Sequence, residues 1–582
     1  MGKNESTLFK ILSFLTPYRN LVLLMLVFLF VQVFGMLYIP TLTADIVDNG
    51  IIQGDLNHIW NIGALMILVA ALVAGVSILI TYLSSSIAAS LGRDIRNALF
   101  RKVQCLSIDE FNQFGTASMI TRNTSDITQI QQAFLSSIQM LVPAPFMAIA
   151  GLILAFSKDV ILALSIIGAM GIVILLAILI SKKAIPLLAK QQILFDDMNS
   201  KVREKISGVR VIRAFNRMDH EKARLDETFS NYSNTAIKIN KLFAALMPLI
   251  TLVMNLSTLL IVWLGDIRIT AGSMQLGDII AIIGYAAIIL TSLIMGIMGI
   301  IGLPKAKISG DRITAVLNAE ESISKEILSN QQTKSDTIIE FNHVTFGYKD
   351  AEEPVLQDIS FQVKKGQTTA IIGSTGSGKT TIVNLLMGFY QSNKGNVFYK
   401  GIDVINLSED LLRKRIGYVP QKAFLFSGTI SDNLRYGKKD ATTDEMNHAC
   451  HIAQISDFID GLEDRLETPV SQGGNNFSGG QKQRLSIARA VIKKPDLYVF
   501  DDSFSALDFK TDAKLRALLS TETKDAAVII VAQRVNTIMS ADQIIVLDQG
   551  IIVGIGTHHT LLAECEPYQQ IVESQLGKEV LA

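Results

Sequence analysis

Six stretches of this chain contain no Asp, Glu, Lys or Arg: residues 21–44, 59–92, 127–157, 160–181, 242–265 and 279–304. Each is long enough to cross a bilayer, which takes about 20 apolar residues. A helix in a soluble core shows one polar face, so runs of this kind exclude a wholly soluble fold. The second and third stretches exceed what a span needs, so part of each is expected to project beyond the lipid.

All six lie before residue 305, and composition has to be read with that split in mind. Over 582 residues the chain is 49% apolar and 18% charged, with 53 basic and 53 acidic residues. Length alone suggests roughly four domains' worth of chain. A disordered tail, a collagen-like fibre and a disulfide scaffold do not fit these proportions. A general nucleic-acid binder needs a basic excess, which is absent, so no nucleic-acid partner is expected.

Orientation follows from the loops, because Lys and Arg stay on the cytoplasmic side. Segments 93–126 and 182–241 hold eighteen Lys or Arg, whereas loops 45–58, 158–159 and 266–278 hold only Lys158 and Arg268. Both termini are therefore expected in the cytoplasm of a multi-pass plasma-membrane protein. Residues 7–19 read as a short amphipathic helix at the inner surface. The Met1–Ser6 segment matches a myristoylation pattern, which a chain with six spans does not need, and no cleavable signal peptide is expected. Cys105, Cys450 and Cys565 have no metal-ligand spacing, and His558 with His559 reads as a solvated loop pair.

Past about residue 320 strands and helices alternate in the α/β manner. Thr369-Ala370-Ile371-Ile372 reads as a buried strand, followed by Gly373-Ser374-Thr375-Gly376-Ser377-Gly378-Lys379-Thr380 and a helix from Thr381. This is GxxxxGK[ST] in its strand–loop–helix setting. Its glycines let backbone N–H groups curl around phosphate oxygens, and the helix start adds a favourable dipole. Lys379 is placed to reach the β- and γ-phosphates of ATP and Thr380 to ligate Mg²⁺. The apolar run Leu497-Tyr498-Val499-Phe500 ends in Asp501, a carboxylate suited to the same Mg²⁺.

Between these lies Asn476-Phe477-Ser478-Gly479-Gly480-Gln481. Here the chain resembles the ATP-binding cassette (ABC) family, whose signature is LSGGQ, with Phe477 in place of the Leu. The resemblance implies that Ser478, Gly479, Gly480 and Gln481 close over a nucleotide held by a second nucleotide domain. It implies further roles in order along the chain. Tyr348 would stack on adenine, Gln421 would sense Mg²⁺ and the membrane domain, and Ser505-Ala506-Leu507-Asp508 would cross between the two sites. Six spans ahead of one nucleotide domain resemble an exporter half-transporter of the type IV fold.

The implied fold class is a multidomain membrane protein, an all-α six-helix transmembrane exporter domain followed by an α/β P-loop ABC domain. The expected boundaries are 1–322 for the membrane domain, 323–337 for a linker and 338–582 for the nucleotide domain. The spans are expected at about 21–44, 59–83, 136–157, 160–181, 242–265 and 279–304. Coupling helices are expected near 107–115 and 207–215. ATP-site residues would be Tyr348, Gly373–Thr381, Gln421 and Ser478–Gln481, with Thr380, Gln421 and Asp501 toward Mg²⁺. Lys379, Gln421, Asp502 and Gln533 would serve hydrolysis.

Two residues depart from the family pattern. Where the family has a Glu general base after the Mg²⁺-binding Asp, this chain has Asp502, whose carboxylate sits back by about one C–C bond, 1.5 Å. Misplacement near 1 Å can cost about a hundredfold in rate. Where the family has a His that contacts the γ-phosphate, this chain has Gln533, which cannot carry an imidazolium charge. Both fall at one phosphate while the signature is intact. That pattern resembles the degenerate-site subunit of bacterial heterodimeric multidrug exporters. The expected partner is a second half-transporter with Glu and His at the matching positions. A homodimeric lipid flippase, or lipid A-type exporter, is the alternative.

The spans offer Asn255, Ser257, Thr258, Trp263, Tyr285, Thr291, Ser292, Met295 and Met298 but no charge. An adaptable apolar cavity suits amphipathic drugs or lipids better than ions or sugars. The outer loops carry no glycosylation sequon, which with the half-size architecture points to a bacterial membrane.

Overall fold

The computed structural model describes residues 7–319, 336–349, 351–407 and 409–576; nearly all of the expected linker lies outside the described residues. The chain divides into two units. One comprises Met1–Gln104 with Gly115–Ala319, and the other Cys105–Phe114 with Glu320–Ala582.

Among the described residues the first unit consists of helices and the turns between them. Its six long apolar runs are Thr16–Ile51, Leu56–Cys105, Thr116–Lys158, Val160–Ser207, Met218–Thr270 and Leu276–Asn318. At 50 residues, Leu56–Cys105 is roughly 75 Å long, against a hydrocarbon core of about 30 Å. The charge-free stretches therefore mark only part of each rod, and in the fourth rod, Val160–Ser207, the stretch begins at the first residue. The third rod contains wider π turns at Arg122–Asp126 and Ser137–Leu141, the second just ahead of Pro143.

Burial shows which solvent these helices are built for. In the first rod Met25, Leu29, Val33 and Leu37, four residues apart, form a buried stripe. Leu23, Leu24, Val27, Phe30 and Phe34 around it are exposed. So much open apolar surface is a liability in water and the rule in lipid, where close packing of small residues joins helices. Gly151 illustrates this, since a Cβ there would stand 2.7 Å from Ile289 Cγ1. The buried Tyr285 hydroxyl is 2.6 Å from Thr41 Oγ1.

The rods are tied at the ends that carry few basic residues. Lys158 pairs with Asp278 at 2.8 Å and Arg268 with Asp159 at 2.9 Å. Asp48 accepts a hydrogen bond from the Gly277 amide at 2.7 Å. The two basic residues on that side are thus both neutralised by carboxylates. The N-terminal helix is shorter than the expected 7–19. It ends at Ser13 and is followed by a 3₁₀ turn at Thr16–Tyr18. Ile11, Phe14 and Leu15 pack against Leu91, Ile95, Ile127, Ile130 and Ile313, so its apolar face is used within the bundle.

Short helices occupy the two segments expected to couple. Val209–Ala214 belongs to the first unit, with Val211 and Phe215 exposed. Ile108–Phe114 belongs to the second unit, where Asn112 donates to the Tyr390 hydroxyl at 3.4 Å.

Among the described residues the second unit has twelve strands: β1 (Thr337–Phe346), β2 (Leu356–Lys364), β3 (Thr368–Gly373), β4 (Lys394–Tyr399), β5 (Ile402–Asp403), β6 (Ile416–Val419), β7 (Gly428–Thr429), β8 (Pro469–Val470), β9 (Leu497–Asp501), β10 (Ala527–Val531), β11 (Gln543–Asp548) and β12 (Ile551–Gly556). The main sheet runs β12-β11-β3-β10-β9-β6, parallel except for β12. A second, antiparallel sheet runs β2-β1-β4-β5.

The parallel strands are buried on both faces, as a sheet between two layers must be. Along β9, Leu497 and Val499 face the core shared with the antiparallel sheet. Tyr498 and Phe500 face the helical side. His558 is not part of a solvated loop pair. It is buried at the start of helix His558–Glu564, its Nδ1 2.7 Å from the Tyr568 hydroxyl, while His559 is exposed. The turn into that helix aims the first ring inward. Cys450 and Cys565 are buried and unpaired, and Cys105 is exposed.

Candidate functional site

The carboxyl ends of adjacent parallel strands β3, β6, β9 and β10 converge, the usual binding edge of an open α/β sheet. From β3 comes the loop Gly373–Gly378, and the next helix starts at Lys379, two residues earlier than expected. Gly378 has φ +98°, and a Cβ there would meet Leu356 Cδ2 at 2.5 Å. Only glycine takes that conformation in that space, and it is what turns successive amides inward.

The loop is shaped for an anion. Ser377 is buried, and its Oγ has no protein hydrogen-bond partner among the described residues. Such an orphan is costly unless a ligand oxygen completes it. The Lys379 ammonium donates to the Gly373 and Ser374 carbonyls at 2.8 and 2.7 Å, holding the loop curled. Burial lowers its pKa, and the charges of Asp502 and Asp501 act against that. Ser374, Thr375 and Gly376 are exposed at the loop tip.

Thr380 Oγ1 is 3.4 Å from Asp501 Oδ1, the last residue of β9. Burial, helped by the charge of Asp502, pushes the Asp501 carboxyl up to about 6, as expected for an anion waiting for a cation. No cluster of three His, Cys, Asp or Glu able to hold a metal occurs among the described residues. Thr380 and Asp501 alone fit Mg²⁺, whose shell is ordinarily completed by phosphate oxygens and water.

Asp502 follows with φ +48°, its amide donating to Val531 O at 2.9 Å. Two glutamines donate to one of its oxygens: Gln421, after β6, at 3.1 Å, and Gln533, after β10, at 2.9 Å. Gln421 therefore points at Asp502, with no hydrogen bond to Asp501. Just after β1, Tyr348 stands edge-to-face with Phe346 and Tyr390, at 5.0 and 5.3 Å between centroids. Its hydroxyl is 3.2 Å from Thr381 Oγ1.

The signature residues form a separate helix start. Ser478 caps helix Gly479–Val491 in a capping box with Gln481, whose Oε1 accepts the Ser478 amide at 2.7 Å. Beyond its chain neighbours and its own helix backbone, no atom among the described residues lies within 4 Å of where a Gly479 Cβ would be, leaving that helix end open to a ligand. Phe477 is buried and meets Phe458 edge-to-face, so the exchange of Leu for Phe is absorbed by the core.

Several contributors escaped the sequence reading. Arg534 donates to the Ser505 carbonyl at 3.1 Å, joining the loop after β10 to the loop after β9. Ser503 Oγ donates to Val419 O at 3.0 Å, tying β9's exit to β6. Gln575, near the C-terminus, bonds the backbone on both sides of Arg534. No motif spacing reports these contacts, because each joins segments far apart in the chain.

Comparison with known proteins agrees with this geometry. Residues 22–293 match the family model described as the ABC transporter transmembrane region, and residues 356–505 the model described as ABC transporter. An uncharacterized ABC transporter ATP-binding protein of Mycobacterium tuberculosis is 41% identical over 563 residues, 96% of each chain. The uncharacterized ABC transporter ATP-binding protein YfiB of Bacillus subtilis is 38% identical over 573 residues, 98% of this chain and 99% of its own. A solved bacterial Atm1-family ABC exporter with ATP bound superposes with a TM-score of 0.80 at 23% identity, covering 96% of this chain and 98% of that one. That structural likeness establishes the fold.

Proposed function

The chain belongs to the ABC transporter family, a multi-pass membrane half-transporter that couples ATP hydrolysis to export, and from this we propose that it is the hydrolysis-impaired subunit of a heterodimeric exporter. The observation that carries the reading is the asymmetry of its nucleotide residues. Asp502 is short by a methylene, and its Oδ2 is shared between the amides of Gln421 and Gln533. The signature helix start at Ser478 is complete. ATP held by this chain's Gly373–Thr381 would thus turn over slowly, while Ser478–Gln481 would complete the partner's efficient site.

Lys379 and the loop amides would bind the triphosphate, and Tyr348 would take the base. Thr380 and Asp501 would hold Mg²⁺, with Gln421 joining only after leaving Asp502; the ion offsets phosphate charge during transfer. ATP acts partly as a ligand that shifts a two-state equilibrium, and closure would move the helices Ile108–Phe114 and Val209–Ala214. The basic loops would lie in the cytoplasm.

The cargo reading rests on an open apolar groove of about 520 Å³ in the membrane unit, lined by Leu141, Val142, Pro145, Phe146, Leu293 and Ile297 among others. A charge-free space beside the π turn at Ser137–Leu141 suits an amphipathic drug or a lipid. The test is to purify the chain alone and with a half-transporter carrying Glu and His at the positions matching Asp502 and Gln533. Co-purification, with ATPase activity that depends on the partner, supports the proposal. A homodimer with full activity that Asp502→Asn abolishes overturns it in favour of the homodimeric flippase.

A further inference from the structure

The loop after β10 carries Gln533, but little in its own sequence fixes it. Val531 ends the strand, Ala532 still donates to Ile371 O at 3.1 Å, and beyond that the main-sheet ladder stops. Arg534 leaves on one side, donating to Ser505 O and lying 5.3 Å over the Phe509 ring. On the other side the backbone meets a single side chain. Gln575 Nε2 donates to Gln533 O at 2.7 Å, and Gln575 Oε1 accepts the Val535 amide at 2.8 Å.

A primary amide offers a donor and an acceptor in one plane. Here it meets a carbonyl and an N–H two residues apart, the pattern that a neighbouring strand would supply. The side chain is delivered by a fixed support. Helix Glu566–Leu576 is anchored by Tyr568 and Val572, both fully buried, and Tyr568 is held by His558. Residues 568, 572 and 575 lie on one helix face, so burying the first two aims the third at the loop.

We propose that Gln575 is a positioning residue for ATP hydrolysis: acting as a one-residue strand partner, it fixes the loop after β10 so that the Gln533 amide meets Asp502. The proposal rests on the reading of Gln533 as the γ-phosphate-side residue. It adds that the C-terminal helix sets this residue's geometry. Binding of ATP should be nearly indifferent to it, because the phosphate loop comes from β3. The chemical step should not be, since small misplacements at the reacting groups are costly.

The test uses the full-length chain in lipid nanodiscs, with its partner, where one co-purifies, carrying Gln in place of the Glu that matches Asp502 so that only this chain's own site turns over, and measures steady-state ATP hydrolysis and amide hydrogen exchange. Gln575→Ala should lower kcat about fivefold, leave KM within about twofold, and speed exchange at the Val535 amide about tenfold. Gln575→Glu keeps the length but loses the donor toward Gln533 O, so it should behave like Gln575→Ala. Combined with Gln533→Ala, Gln575→Ala should add nothing further to the loss in kcat. Faster exchange with unchanged kcat overturns the proposal, as does an additive loss in the double variant. If Gln533→Ala alone hydrolyses at the unmodified rate, the role given to Gln533 fails, whatever Gln575 does to exchange.

Discussion

The two surfaces of this chain proposed to face nucleotide are built to different standards. The signature surface is a capped helix start with Ser478 and Gln481 in a reciprocal box, open at Gly479 to whatever docks there. The surface around Asp502 is closed on itself, with one carboxylate oxygen taken by two glutamine amides. A chain that had lost its ATPase role altogether would have no reason to keep one surface intact while the other drifts. Under the proposed heterodimer, such a domain contributes fully to a neighbour's chemistry and weakly to its own.

The harshest test of that contrast is Lys379→Ala, which removes a charge-assisted contact to phosphate. ATP affinity at this chain's loop should fall about a hundredfold, measured by equilibrium binding of MgATP to the full-length protein. Hydrolysis at the partner's site should fall less than binding does here. Equal losses at both sites would erase the distinction.

Next in size is the reverse experiment. Restoring a longer base and a cationic ring with Asp502→Glu and Gln533→His should raise single-turnover hydrolysis at this site by about thirtyfold. Each change alone should do less, because both act on one phosphate. No gain from the pair would mean that closure, not chemistry, limits this site.

A smaller effect is expected on the signature side. Ser478→Ala removes a cap worth about 1 kcal/mol together with a hydroxyl facing the partner's nucleotide. Turnover should fall about tenfold while ATP binding to this chain's own loop stays unchanged. A loss of binding here would show that the two surfaces are not independent.

The smallest effect concerns the scaffold beneath both. Asp496 is partly buried, which raises its pKa, but hydrogen bonds from Lys400, Arg415 and Tyr399 outweigh this and lower it. An acid lowered on folding adds stability above its unfolded pKa and loses it as pH falls through the folded value. After screening at this half-open position, Asp496→Asn should cost about 1 kcal/mol near neutral pH. The gap in melting temperature from the unmodified protein should narrow below about pH 4. A gap independent of pH would trace the loss to packing.

Much of the fold was legible because the signals are local. A charge-free run needs only its own residues to demand lipid, and GxxxxGK[ST] after an apolar strand needs only its own glycines to curl around phosphate. The helix boundaries were less legible. The rods run far past their apolar centres, as Leu56–Cys105 does, because charged helix turns in water resemble any other exposed helix. His558 was misread for a related reason. Nothing beside it in sequence announces Tyr568, which buries it.

By itself, then, the sequence determined the membrane bundle, the α/β domain, the phosphate loop and the two departures at 502 and 533, because each is a matter of residue type at short spacing. Only the tertiary structure decided which groups share an atom. It brought Gln421 and Gln533 to one oxygen of Asp502 from two different strands. It left Ser377 Oγ without a protein partner among the described residues and carried Gln575 from helix Glu566–Leu576 to the loop beside the site. Contacts of that kind arise where separate strands end at one edge of a sheet, and chain order holds no record of them.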